Sequence, residues 1–415
     1  MHPIRKVAVI GLGYVGLPTA ATFARAGLDV LGVDISEKVV RTINDGRIHI
    51  WEHDLDVLVK DMVEAGRLRA VTVPEPADAF VIAVPTPVNT DNTPNMTLVD
   101  SAVASIAPVL KRGDIVIIES TSTVGTTERA ASQLAEARPD LSFPDTCPES
   151  ADVLMAYCPE RVLPGATLRE LVDNARVLGG LDEQSSKRAL ELYRFFVKGE
   201  MVVASARAAE MAKLTENAFR DVNIAFANEL SMICEKLDID VWSVIRAANL
   251  HPRVNILKPG AGVGGHCIPV DPWFIINQAP DTAKIMRLAR ETNHAKTRLV
   301  QDKIVQACAG DRRTPIALLG LSYKPDIDDL RESPSLEILD ALLADGYANI
   351  LVVEPNVDEL PQAYADRPIR LMDIESALHE ARVMAILVGH EEFLARRDAM
   401  RSFAGTLIDP VGLTG

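Results

Sequence analysis

The chain has 415 residues, of which 48% are hydrophobic and 24% charged, a composition that excludes disordered and fibrous classes. Forty-three Lys and Arg against 58 Asp and Glu leave a net charge of −15, which argues against nucleic acid as a partner. No apolar run approaches the roughly 18 residues that span a bilayer, and the short run after Lys6 meets glycine too soon for a secretory signal, so no membrane partner is expected.

Lys6–Ile10 reads as a short apolar strand, and Gly11-Leu12-Gly13-Tyr14-Val15-Gly16 as a glycine turn. Residues 17–26 then read as a helix closed by Gly27, and Asp29–Val33 as a second strand ending at Asp34. Apolar runs recur at 79–84 and 114–118, each followed by turn residues and a helical stretch, the rhythm of a parallel sheet covered by helices. From residue 208 to 236 almost nothing breaks a helix, and 281–306 reads as a second long one, with a Pro/Gly-rich loop between. Strand-like runs return at 315–319, Ile350–Val353, 383–388 and Thr406–Ile408. The fold class is therefore α/β, with two doubly wound Rossmann-like domains joined by a helical central region. The divisions fall at 1–205, 206–308 and 309–415.

The glycine turn fits G-x-G-x-x-G between a strand and a helix, where Gly11 permits the turn and Gly13 admits a pyrophosphate. Gly16 allows close packing of helix on strand, and the helix N-terminus offers N–H groups to the anion. Asp34 stands where a carboxylate accepts from ribose hydroxyls, which favours NAD over NADP. Thr86, Thr121 and Thr127 follow later strands of the sheet and read either as cofactor neighbours or as ordinary turn and cap hydroxyls.

The least ordinary stretch is Gly260-Ala261-Gly262-Val263-Gly264-Gly265-His266-Cys267-Ile268-Pro269-Val270-Asp271-Pro272. Four glycines give up much conformational entropy on folding, a cost tolerated where backbone approaches a ligand. Cys267 there reads as a covalent nucleophile with Asp271 near enough to handle protons, or as a small cysteine in a flexible turn. Five cysteines without a CxxC pair fit neither a disulfide framework nor a zinc site, so no metal is expected and a reducing cytoplasm is the simplest home. Spacings of four and three place Lys213, Asn217 and Arg220 on one helical face, as a functional set or as a solvated stripe.

Together these pieces resemble the nucleotide-sugar 6-dehydrogenases, the family of UDP-glucose and GDP-mannose dehydrogenases. The resemblance spans nearly the whole chain, in ordered motifs at 11–18, 83–87, 119–127, 158–165, 210–228, 251–273 and 320–334. Where UDP-glucose enzymes carry GGSCFPKD-like and FLREG-like segments, this chain has Gly264-Gly265-His266-Cys267-Ile268-Pro269-Val270-Asp271 and Glu160-Arg161-Val162-Leu163-Pro164-Gly165. Those departures resemble the branch acting on UDP-N-acetylhexosamines, with the manno epimer favoured over the gluco.

The resemblance implies a four-electron oxidation of the sugar C6 alcohol to a carboxylate, using NAD twice and one water, for cell-surface polysaccharide synthesis. It makes Cys267 the carrier of a thiohemiacetal and a thioester, with Lys213 and Asn217 serving the alcohol oxidation and Asp271 and Thr121 positioning water. Pro164 replaces a family glutamate, leaving Glu160 as a substitute base. NAD would be bound by Gly11, Gly13, Tyr14, Val15, Gly16, Asp34, Thr86 and Thr127, and by Arg331 reaching in from the last domain. The sugar nucleotide would meet Arg161, Val162, Lys213, Asn217, Arg220, His251, Arg253, Gly264, Tyr323 and Lys324. A homodimer is implied, with Arg253 reaching the neighbouring active site. Two rivals are a two-electron hydroxyacid dehydrogenase, which has no use for Cys267, and a non-catalytic nucleotide sensor, which has none for Lys213, Asn217 and Cys267 together.

Overall fold

Strands that are apolar on both faces belong inside a sheet covered by helices. β1 (Lys6–Ile10) is such a strand, with Val7, Ala8 and Val9 wholly buried. A computed structural model describes residues 2–144, 147, 150–163 and 165–415 and divides the chain into two units, Met1–Thr215 and Glu216–Gly415. Pro164, the site of the departure from the family glutamate, lies outside the described residues.

The first unit is built on β1, β2 (Asp29–Val33), β3 (Leu68–Val71), β4 (Ala79–Ile82), β5 (Ile115–Ile118), β6 (Leu154–Tyr157), β7 (Arg176–Gly180) and β8 (Met201–Ser205). They form one sheet in the order β3-β2-β1-β4-β5-β6-β7-β8. The winding reverses between β1 and β4, which opens a crevice at the strand C-termini. The sequence rhythm predicts an all-parallel sheet, but β7 pairs antiparallel with β6, and β8 then follows β7 in parallel. These last strands are runs of four or five residues without a clear period, which is why the pattern along the chain did not single them out.

The second unit carries β9 (Ile316–Leu319), β10 (Ile350–Val353), β11 (Ile369–Leu371), β12 (Val383–Ile386) and β13 (Thr406–Ile408), all parallel, in the order β11-β10-β9-β12-β13. This repeats the winding of the first five strands of the other unit. The expected runs at 79–84 and 383–388 overrun their strands by two residues at the C-terminal end, where the chain bends toward the crevice, and those at 114–118 and 315–319 begin one residue early.

The helix Ala206–Lys236 runs unbroken, and the boundary between the units falls within it. In the second unit its later turns meet the helix Lys284–Ala307 through a buried polar ladder. Arg290 Nη1 lies 2.7 Å from Asp221 Oδ1, and Asn293 Nδ2 donates to the same oxygen at 2.8 Å. Asn228 Nδ2 donates to Asn293 Oδ1 at 2.9 Å, and Lys296 Nζ reaches Ser231 Oγ at 2.7 Å. These helices start at 206 and 284 rather than 208 and 281, the second delayed by the turn at Thr282 and Ala283. Among the described residues no helix is long and apolar enough to cross a membrane, and no group of three or more His, Cys, Asp and Glu stands in position to hold a metal.

Candidate active site

The glycine turn of the first unit has the form its sequence dictates. A Cβ on Gly16 would fall 1.8 Å from the Gly11 carbonyl oxygen, so only glycine lets the helix Gly16–Arg25 start this close to β1. Around Gly13 a Cβ would meet nothing within 4 Å, which leaves that backbone open to a ligand. No side chain caps the start of this helix; the Leu17 N–H donates to the Gly13 carbonyl at 3.1 Å and Pro18 has none, so an anion would meet the helix at its first residue, Gly16. Asp34 Oδ2 accepts from the Leu12 N–H at 3.1 Å and Oδ1 from Ser36 at 2.9 Å, which fixes the carboxylate beside the turn. An open backbone, a helix N-terminus and an anchored acid fit a dinucleotide. Tyr14 is exposed and Val15 half-buried at the rim.

Thr86 and Thr121 stand half-buried beyond β4 and β5. Thr127 is fully buried, and its hydroxyl donates to Glu210 Oε1 at 2.7 Å. Glu210 also accepts from the N–H groups of Gly125 at 2.6 Å and Thr127 at 2.9 Å, so it caps the helix Thr126–Ala137. Glu119, buried at the end of β5, pairs with Arg176 at 3.0 Å. Glu52 accepts from Gly165 N at 3.0 Å and from Thr167 N and Oγ1 at 3.0 and 2.7 Å, pinning the loop that follows β6. The partners of these three carboxylates lie dozens of residues away in the chain, so no local pattern announced them.

On that pinned loop Glu160 Oε1 lies 3.4 Å from Lys213 Nζ, with both side chains largely buried. Burial pushes the Glu160 carboxyl up, but the Lys213 ammonium and the Val162 N–H outweigh it and hold the acid below its usual value. Val162 donates that N–H to Glu160 Oε2 at 2.9 Å, and Arg161 is tied to the Ala175 carbonyl. Cys158 is fully buried, and desolvation drives its thiol up to about 11, an inert environment for a thiol.

In the second unit Cys267 is half-buried, and its carbonyl accepts from the Val270 and Asp271 N–H groups at 3.1 and 2.9 Å. The thiol-bearing residue thus sits in the turn that feeds the helix Asp271–Gln278. Asn217 Nδ2 donates to the buried Asp271 Oδ2 at 2.6 Å. Gly265 has φ +88° and packs on Tyr323, whose ring a Cβ would meet at 2.9 Å. Arg220, His251 and Arg253 are exposed, with the Arg253 N–H donating to His251 Nδ1 at 3.3 Å. Arg331 pairs with Asp329 at 2.6 Å. A cavity of about 490 Å³ opens between Lys258, Gly262, Tyr323, Lys324 and Arg397. Lys258 and Arg397 are residues that sequence reasoning missed: Lys258 falls in the 251–273 motif but outside its glycine–cysteine stretch, and Arg397 lies in no motif.

Glu354, at the end of β10, accepts from Leu321 N at 2.7 Å and Ser322 N at 3.0 Å, with His390 Nε2 at 3.2 Å. Burial pushes this carboxyl up, but His390 and the two N–H groups overcome it and hold the acid at about 2. A depressed carboxyl stabilises fully above its ordinary value of 4.5 and ceases to do so as pH falls toward 2. Glu354→Gln should therefore melt at a lower temperature than the parent at neutral pH. Calorimetric scans should show that gap closing once the pH drops below 4.5.

A dinucleotide turn in one unit and, in the other, a second doubly wound sheet with a cation-lined cavity fit a nicotinamide-dependent dehydrogenase. Family models cover almost all of the chain. They are the NAD binding domain at 5–197, the central domain at 207–295 and the UDP binding domain at 317–409 of the UDP-glucose/GDP-mannose dehydrogenase family. The chain belongs to this family. It is 55% identical over 406 residues to a UDP-N-acetyl-D-mannosamine dehydrogenase of Campylobacter jejuni, covering 97% of this chain and 100% of that one. It is 52% identical over 409 residues to an NDP-N-acetyl-D-galactosaminuronic acid dehydrogenase of Ralstonia nicotianae, covering 99% and 96%. Among solved structures, a UDP-D-ManNAc dehydrogenase from Pyrococcus horikoshii matches with a TM-score of 0.87 at 35% identity, covering 98% of this chain and 96% of that one.

Proposed function

We propose that this enzyme oxidises C6 of UDP-N-acetyl-D-mannosamine to the uronate in the cytoplasm, for a cell-surface polysaccharide. The carrying observation is the 55% identity, over nearly full length, to a dehydrogenase named for that substrate. In this reading residues 1–205 bind NAD, 206–308 supply the nucleophile loop and the dimer helices, and 309–415 bind the UDP-sugar.

Bound NAD supplies the hydride acceptor for both oxidations. Lys213 in its free amine form takes the proton of the C6 hydroxyl, the ammonium so formed is held by Glu160, and Asn217 donates to the oxygen as it gains charge. The Cys267 thiolate then adds to the C6 aldehyde to give a thiohemiacetal, which is oxidised to a thioester. Water positioned by Asp271 and Thr121 cleaves the thioester, freeing the acid and the thiol, with Glu160 available as base. Gly11, Gly13, Tyr14, Val15, Gly16, Asp34, Thr86, Thr127 and Arg331 serve the cofactor. Arg161, Val162, Arg220, His251, Gly264, Tyr323 and Lys324 serve the sugar nucleotide. Lys258 and Arg397 add charge suited to a diphosphate.

The protein acts as a dimer in which Arg253 serves the neighbouring site. Phe219, Phe226 and Ile233 are 67%, 55% and 47% exposed at heptad spacing along one face of the helix Ala206–Lys236, with Leu237, 63% exposed, just past its end. A second copy of that face would cover them. Phe226→Asp should then run as a monomer in light scattering, and an unchanged dimer would rule this contact out.

Counting NADH released per sugar tests the reaction: two per uronate formed supports it, and one supports a two-electron oxidation. Turnover of the manno, gluco and galacto epimers side by side decides the substrate. The Ralstonia relative makes the galacto epimer a necessary arm, and a gluco or galacto preference would overturn the manno assignment.

A further inference from the structure

The two units carry the same turn, finished differently. In the first, the Gly11 N–H donates to the Val33 carbonyl at 2.8 Å and the Leu12 N–H to Asp34 at 3.1 Å. In the second, Gly320 donates to Val353 at 2.8 Å and Leu321 to Glu354 at 2.7 Å. Each acid ends the second strand of its unit, β2 or β10. Asp34 is only half-buried, so part of it faces the crevice, whereas Glu354 is buried and His390, itself wholly buried, lies against it. An imidazole of the protein thus lies directly against Glu354, 3.2 Å from Oε2.

The ring is held in one orientation. The Asp326 N–H points at His390 Nδ1 at 3.0 Å, which requires an unprotonated nitrogen there. The proton then sits on Nε2 and faces Glu354 Oε2 at 3.2 Å. Asn356 closes the other side, donating its backbone N–H to Glu354 Oε1 at 3.1 Å. The loop from Gly320 to Asp326 is therefore gripped at Leu321 and Ser322 by Glu354 and at Asp326 by His390. Between the grips stand Tyr323 and Lys324. Ser322 Oγ adds a bond to the Lys324 carbonyl at 2.8 Å. Tyr323 in turn backs the nucleophile loop, where a Cβ on Gly264 would lie 2.8 Å from its Cβ and one on Gly265 2.9 Å from its ring.

We propose that His390 and Glu354 are positioning residues: through the 320–326 loop they set Tyr323 and Lys324 for the uridine nucleotide and seat the glycine loop that leads to Cys267. Neither residue touches the reacting atoms. The inference rests on the reading of this unit as the one that holds the UDP-sugar.

The test uses the full-length enzyme at a temperature well below the melting point of each variant. His390→Gln keeps a donor toward Glu354 and loses the acceptor for Asp326, while Glu354→Gln keeps the shape and loses the charge. Affinity for UDP is measured calorimetrically, and KM is measured separately for UDP-N-acetylmannosamine and NAD. Both variants should bind UDP about tenfold more weakly and raise the sugar-nucleotide KM about as much, with the NAD KM within about twofold of the parent. Ile374→Val, in an apolar core cluster of the same unit that includes none of residues 320–326, is the control for stability alone and should leave UDP affinity unchanged.

A fall in melting temperature with unchanged UDP affinity would overturn the proposal, as would equal rises in both KM values or weakened UDP binding in the control. If His390→Gln fails to fold, Glu354→Gln carries the test. Failure of both to fold would make the pair a stability element and overturn the positioning role. A parent enzyme that binds UDP but oxidises no UDP-N-acetylhexosamine would refute the proposed function, while the calorimetric comparison still decides this inference.

Discussion

Cys267→Ser is expected to lower uronate formation by about a thousandfold or more, with purified enzyme, NAD and nucleotide sugar all present. At neutral pH a serine hydroxyl holds its proton far more tightly than a thiol, and an alkoxide leaves a carbonyl far less readily than a thiolate. Both covalent steps therefore fail, while the alcohol oxidation, which needs Lys213, is left with its machinery. Mass spectrometry of the product with simultaneous counting of NADH reads the result. Two NADH per sugar at the parent rate would remove the thioester from the mechanism. The comparison variant is Cys147→Ser, the other half-buried cysteine, which should retain activity. Cys158, Cys234 and Cys308 are buried, and in Cys158 burial holds the thiol near 11, out of reach of neutral-pH chemistry.

The second large effect concerns Lys213. Lys213→Met should lower kcat by about a thousandfold, the middle of the range for a lost general acid–base group. It should also destabilise the protein by about 3 kcal/mol, the cost of breaking a buried pair from one side. Glu160 is the reason. Its carboxyl is only slightly exposed, and with the ammonium gone it loses the largest influence that holds the acid down against burial. The double variant Glu160→Gln/Lys213→Met separates the two roles, because it removes the stranded charge without restoring a base. Urea midpoints should recover in the double variant while kcat stays low. Recovery of kcat would mean that Lys213 acts only as a counter-ion.

The glycine turn shows what a short motif can carry. Its six residues follow an apolar strand and open a helix, and the contacts at Gly16 and the bond from Leu12 to Asp34 are those such a sequence requires. The long helices were as plain, because unbroken runs of 31 and 24 residues admit little else. Strands of four or five residues at the far side of the first sheet were not, and nothing along the chain signalled that β7 reverses. Direction in a sheet is set by how the connecting segment packs, not by the strand's own residues.

Apolar periodicity and glycine placement, both local properties of the chain, determined the paired α/β architecture, the dinucleotide turn and the loop bearing Cys267. Tertiary structure alone decided which charged groups meet. Glu52 with Thr167, Glu119 with Arg176, Glu210 with Thr127 and Glu354 with His390 are separated in sequence by 115, 57, 83 and 36 residues. A carboxylate looks the same in a sequence whether it faces water or caps a buried turn, because its role depends on desolvation and on donors that only folding brings within 3 Å.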